Sequence, residues 1–109
     1  MNKLILIDLD GVLNEYRGDY DENYIPPIRE GAFEFIKELS KNYKIKIFTS
    51  RKLMLTSDWV RSNGLSKYIE DVTNIKTPNY VMVDDRCINF SGDYAGLLEK
   101  IYKFSPWYK

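Results

Sequence analysis

The sequence predicts an α/β domain built on a mainly parallel sheet with helices on both faces. Two observations carry this. Short apolar runs alternate with segments of helical periodicity along the chain. The resulting order of strand, helix, strand, helix, strand, helix belongs to parallel sheets with right-handed helical crossovers.

The elements follow in order. Lys3-Leu4-Ile5-Leu6-Ile7 is a continuous apolar run, fit for a strand buried on both faces, and it stops at Asp8-Leu9-Asp10-Gly11. Residues 14–27 are polar and tyrosine-rich and close on Pro26-Pro27, which predicts an irregular flap. From Arg29 to about Lys41, the residues Ala32, Phe33, Phe35, Ile36 and Leu39 recur at helical spacing. Lys44-Ile45-Lys46-Ile47-Phe48 is a second strand, ending at Thr49-Ser50-Arg51. A second helix is predicted over 56–63, capped by Thr56 or Ser57 and stopped by Asn63-Gly64. Ile69 to Val72 forms a short strand, and Tyr80-Val81-Met82-Val83 a further one ending at Asp84-Asp85-Arg86. A last helix runs from Tyr94 to about Phe104, with Leu97, Leu98 and Ile101 expected to face inward.

Length and composition limit what this fold can do. With 109 residues, the prior is one domain over the whole chain, residues 1–109. Lys plus Arg and Asp plus Glu balance at 16 each, so no global field draws in nucleic acid; local contacts to it stay open. The N-terminal apolar run is too short for a signal-peptide core or a membrane span, so a cytoplasmic, non-membrane protein is the expectation. The chain has no histidine, which removes Ser–His and Cys–His catalysis and histidine metal sites. No Walker loop or dinucleotide glycine fingerprint is present. The single cysteine, Cys87, is expected as a small buried residue.

Parallel strands put their C-terminal ends on one edge, where ligands bind. Three strong strands end in polar clusters: Asp8 and Asp10; Thr49, Ser50 and Arg51; Asp84, Asp85 and Arg86. Lys76-Thr77-Pro78 lies just before the last strand. Carboxylates gathered in one cleft repel strongly and stay ionised together only around a cation. Oxygen ligands alone favour a hard divalent ion such as Mg²⁺. A carboxylate can then attack phosphorus, and a second carboxylate can serve the leaving oxygen and the water. A Thr49 hydroxyl and a Lys76 ammonium suit phosphoryl oxygens.

These residues resemble the motifs of the haloacid dehalogenase (HAD) superfamily. Asp8-Leu9-Asp10-Gly11-Val12-Leu13 is similar to its first motif, Phe48-Thr49 to its second, Lys76 to its third and Val83-Asp84-Asp85 to its fourth. The resemblance runs in the family's order from residue 3 to about 92 and implies a three-layer Rossmann-like fold. It implies a Mg²⁺-dependent phosphomonoester hydrolase working through an aspartyl-phosphate on Asp8. Asp10 would be the acid–base residue, with its backbone carbonyl on the metal, and Asp85, supported by Asp84, the metal ligand of the fourth motif. The intervals Asp10–Thr49 and Thr49–Lys76 have no room for the family's cap domain. A capless site suits a large phosphorylated substrate, such as a nucleotide, a nucleic-acid end or a phosphoprotein.

Each residue also has a plainer use. Thr49 alone suits a helix cap, and Lys76 alone a solvated surface. Ser50 and Arg51 either position substrate or face solvent. Arg86 and Asn89 either contact substrate or brace their loop. Tyr16, Tyr20 and Tyr24 pack the flap or stack on a base. The aromatic tail from Tyr102 to Lys109 docks on its own domain, joins a homodimer, or offers a nucleic-acid platform. Two other functional classes share the fold: a phosphoacceptor receiver domain and a catalytically silent binding module. Motif order opposes the receiver, because Lys76 precedes the last acidic pair and Asp10 would hydrolyse a phospho-signal.

Overall fold

The computed structural model describes residues 3–108. Its elements are β1 (Leu4–Asp8), α1 (Ala32–Leu39), β2 (Lys44–Phe48), α2 (Leu53–Ser62), β3 (Asp71–Thr73), β4 (Val81–Val83) and α3 (Tyr94–Lys103). The four strands form one sheet in the order β3-β2-β1-β4, and every pairing is parallel. The α/β class and the parallel sheet are as the sequence predicts.

Side chains alternate across a strand. Ile5, Ile7, Ile45 and Ile47 share one face and meet Ala32 and Ile36 of α1 and Val60 of α2 in a buried cluster with Leu9, Leu13 and Leu65. α1 and α2 therefore form one packed layer. α3 contributes no buried residue, and Leu98 and Ile101 are half exposed where the sequence suggests inward packing. Its helix is held instead by an N-cap: the Asp93 carboxylate accepts from the Ala95 and Gly96 backbone N–H groups.

α2 starts three residues before the sequence suggests. Thr56 is not its cap but lies inside the helix, buried, with its hydroxyl donating to the Lys52 carbonyl at 3.0 Å. The helix stops where expected, because Gly64 takes the left-handed conformation at φ +71° that other residues resist. The flap is a closed excursion. Its ends are zipped by an antiparallel bridge between Asn14 and Ile28, with Glu15 N–H donating to the Pro27 carbonyl at 2.9 Å and Arg29 N–H to the Leu13 carbonyl at 2.9 Å. The Trp59 indole of α2 donates to the Pro26 carbonyl at 3.1 Å. Among the described residues, no helix is long and apolar enough to cross a membrane.

Candidate metal and phosphoryl site

The sheet register builds the site. Ile7 of β1 pairs with Val83 of β4, so Asp8 and Asp84, one residue further along each strand, leave the sheet side by side. Carboxylate oxygens of Asp8, Asp84 and Asp85 lie within 4.8 Å of one another. Two unit charges at such a spacing repel by about 3.5 kcal/mol at an effective dielectric of about 20. The Asp8 carboxyl is accordingly pushed up to about 8, by burial first and then by the charges of Asp84, Asp10 and Asp85. Burial, followed by the Asp84 charge, also raises Asp85. Both Asp85 carboxylate oxygens are buried and have no hydrogen-bond partner among the described residues.

Gly11 makes this arrangement possible. Its φ of +81° turns the chain sharply after β1, and a Cβ there would meet Asp85 Oδ2 at 2.1 Å. The Asp85 carboxylate therefore rests directly on the Gly11 backbone. The donor set is all oxygen, crowded, mutually repelling and short of partners, and it fits a hard divalent cation.

Asp10 faces a different neighbour. The Arg51 Nε–H donates to both Asp10 oxygens, at 3.0 Å and 2.9 Å. The Asn14 amide adds a bond to Asp10 Oδ1 at 3.0 Å, while Asn14 Oδ1 accepts from the Gly11 and Tyr16 N–H groups. Arg51 does not face solvent, and its Nη2 has no hydrogen-bond partner among the described residues. It is 2% exposed, its Nη1 donates to the Asp21 and Tyr24 carbonyls at 2.9 Å and 3.0 Å, and its guanidinium stacks on Tyr20 at 4.7 Å. It ties the flap to Asp10. Ser50 beside it is exposed. Neither Arg51's partners, 27 to 41 residues away in the chain, nor the Asn14 brace shows in a periodicity; the only sequence signal for Asn14 is its place in the turn after Asp10.

Thr49 is buried at the end of β2, and its Oγ1 accepts from the Arg51 N–H at 3.1 Å, which leaves the hydroxyl proton free to donate. Lys76 is exposed on the loop before β4, and no hydrogen bond or ion pair ties its ammonium to the acidic cluster among the described residues. Arg86 is anchored through its N–H to Asp84 Oδ1 at 2.9 Å, and its guanidinium donates to the Tyr108 hydroxyl at 2.9 Å. Cys87 is exposed rather than buried, since the segment after β4 runs over the surface.

No family model and no curated protein matches this chain. A solved structure does. The conserved protein coded by a locus of Bacteroides thetaiotaomicron superposes with a TM-score of 0.60 over 94% of this chain and 92% of its own, at 19% sequence identity. The likeness extends over nearly the whole length of both chains, and at that identity it concerns the fold.

The tail completes the surroundings. Trp107 docks on its own domain, donating its indole N–H to the Gly11 carbonyl at 3.0 Å. Its ring is stacked by the Arg29 guanidinium at 4.3 Å and the Arg17 guanidinium at 5.2 Å. Tyr108 meets Tyr16 edge-on at 6.3 Å between centroids. A separate groove of about 650 Å³, lined by Cys87, Ile88, Gly96, Lys100 and Phe104 among others, includes none of Asp8, Asp10, Asp84 and Asp85.

Proposed function

We propose that this chain is a capless, HAD-like phosphomonoester hydrolase that uses Mg²⁺, with Asp8 as nucleophile. The observation that carries the reading is the gathering of Asp8, Asp84 and Asp85 at the ends of two neighbouring parallel strands, with both Asp85 oxygens buried and unpartnered among the described residues. Asp8, Asp84 and Asp85, with the Asp10 backbone carbonyl, would hold the ion. Bound there, it neutralises the carboxylates and the phosphoryl oxygens.

In this reading an Asp8 oxygen attacks phosphorus, the bond to the leaving oxygen breaks, and Asp10 protonates that oxygen. Asp10 then takes a proton from the water that attacks the aspartyl-phosphate, releasing phosphate and restoring Asp8. Arg51 and Asn14 fix the orientation of Asp10 for both steps. The free Thr49 hydroxyl donates to a phosphoryl oxygen, and Lys76 offers its ammonium from the exposed loop. Between Asp10 and Thr49 lie the flap, α1 and β2; between Thr49 and Lys76 lie α2 and β3. Nothing in those intervals roofs the site as a cap domain would, which favours a bulky substrate such as a nucleotide or a phosphorylated nucleic-acid end.

The test is phosphate release from p-nitrophenyl phosphate and from 5′- and 3′-phosphorylated oligonucleotides with Mg²⁺ supplied. Turnover should vanish with a chelator and in Asp8→Asn, and Asp10→Asn should accumulate a phosphoprotein visible by intact mass. Activity surviving in Asp8→Asn would reject the assignment.

A further inference from the structure

We infer that Trp107 and Tyr108 are positioning residues: a C-terminal clasp that holds together the two loops carrying the acidic cluster. The inference rests on reading that cluster as a divalent-cation site. Asp8 is the last residue of β1 and Asp10 lies in the turn that follows it, while Asp84 and Asp85 lie in the turn after β4. The ladder joining those strands ends at the pair Ile7–Val83. Beyond it the acidic residues carry like charges that push the two segments apart.

The tail bridges them. From one side, the Trp107 indole N–H holds the Gly11 carbonyl at 3.0 Å, and Gly11 is the residue on which the Asp85 carboxylate rests. From the other, the Tyr108 hydroxyl accepts from Arg86 Nη1 at 2.9 Å, and the Arg86 N–H holds Asp84 Oδ1. The two rings meet edge-to-face with centroids 5.4 Å apart, so the bridge from Gly11 to Arg86 is continuous. Arg29 adds a 3.4 Å bond to the same Gly11 carbonyl while stacking on Trp107, which locks the indole against the β1 turn. Outer contacts of this kind set ligand orientation, and their loss typically weakens metal binding by about 10- to 100-fold.

The experiment uses Mn²⁺ alone as the probe and measures its binding by calorimetry, with no substrate and no turnover. Three variants are compared with the full chain: a truncation lacking residues 106–109, Trp107→Phe and Tyr108→Phe. Trp107→Phe keeps an aromatic ring but removes the N–H along with part of the indole; Tyr108→Phe removes only the hydroxyl. The truncation should weaken Mn²⁺ binding by about tenfold or more, and each single variant by a smaller factor. The rise in melting temperature on adding Mn²⁺ should shrink in the same order. Should the truncation not fold, the two single variants decide. Folded variants that bind Mn²⁺ within about twofold of the full chain overturn the clasp and leave the metal reading intact. A full chain that binds no Mn²⁺ overturns the metal reading, and the clasp with it.

Discussion

Asp8 makes the metal-free protein less stable as the pH rises, and Asp8→Asn removes the penalty. Burial and three neighbouring carboxylates push the Asp8 carboxyl from 3.8 up to about 8 in the folded state. Between those values the native chain holds a proton that the unfolded chain has released. Stability therefore falls as pH climbs through this window, and the loss is complete above about pH 8. Each pH unit would cost at most about 1.4 kcal/mol. Asp8 is partly open to solvent, which screens its charge, so about 0.7 kcal/mol per unit is the working figure. For a domain of this size that is a drop in melting temperature of roughly 3–6 °C per pH unit. Thermal melts of wild type and Asp8→Asn from pH 5 to pH 8, in chelator, should diverge steadily, the variant being the more stable at high pH. Divalent cation should reverse the order, since it binds the ionised carboxylates of the wild type, adding about 2.7 kcal/mol at a hundredfold excess over Kd. Melting curves for the two proteins that stay parallel across this range, without metal, would refute the proposed electrostatics.

Other consequences are equally direct. Arg51→Met leaves Asp10 without its cation and frees the flap carbonyls; it should cost about 3–5 kcal/mol, read by urea denaturation, and an unchanged midpoint would mean that the ion pair contributes nothing net. Gly11→Ala drives a methyl group into the Asp85 carboxylate and strains a left-handed turn, so Mn²⁺ binding should be lost in calorimetry even where the fold survives. Ile36→Ala removes the fully buried anchor of α1 and should destabilise the domain by about 2–5 kcal/mol, checked by the same urea titration.

How much of this was legible in the sequence depends on the range of the interaction. β1 shows as an apolar run because it is buried on both faces, and β2, whose isoleucines are buried between less buried lysines, matches its expected limits residue for residue. The turn after β1 shows through Gly11, whose neighbours leave no room for a side chain. The start of α2 was hidden. Its N-cap Lys52 carries no side-chain cap bond, so the sequence signal passed to Thr56, which bonds backward inside the helix. α3 shows the limit of periodicity, which marks an apolar stripe without saying what covers it; Leu98 and Ile101 stay half exposed. Arg51 lies two residues after Thr49 in the sequence, and it pairs with Asp10 across 41 residues, a distance no local pattern reports.

β1 lies in the interior of the sheet, hydrogen-bonded on both sides by β2 and β4. The backbone of Asp8 therefore belongs to the part of the molecule that opens last, while the flap, the tail and α3 sit on thinly buried ground. Amide exchange should be slowest at Ile5 to Ile7 and fast around Tyr20 and Tyr102. A protease that nicks the flap or trims the C-terminus would then remove what surrounds the carboxylates long before it disturbs the strand that presents Asp8.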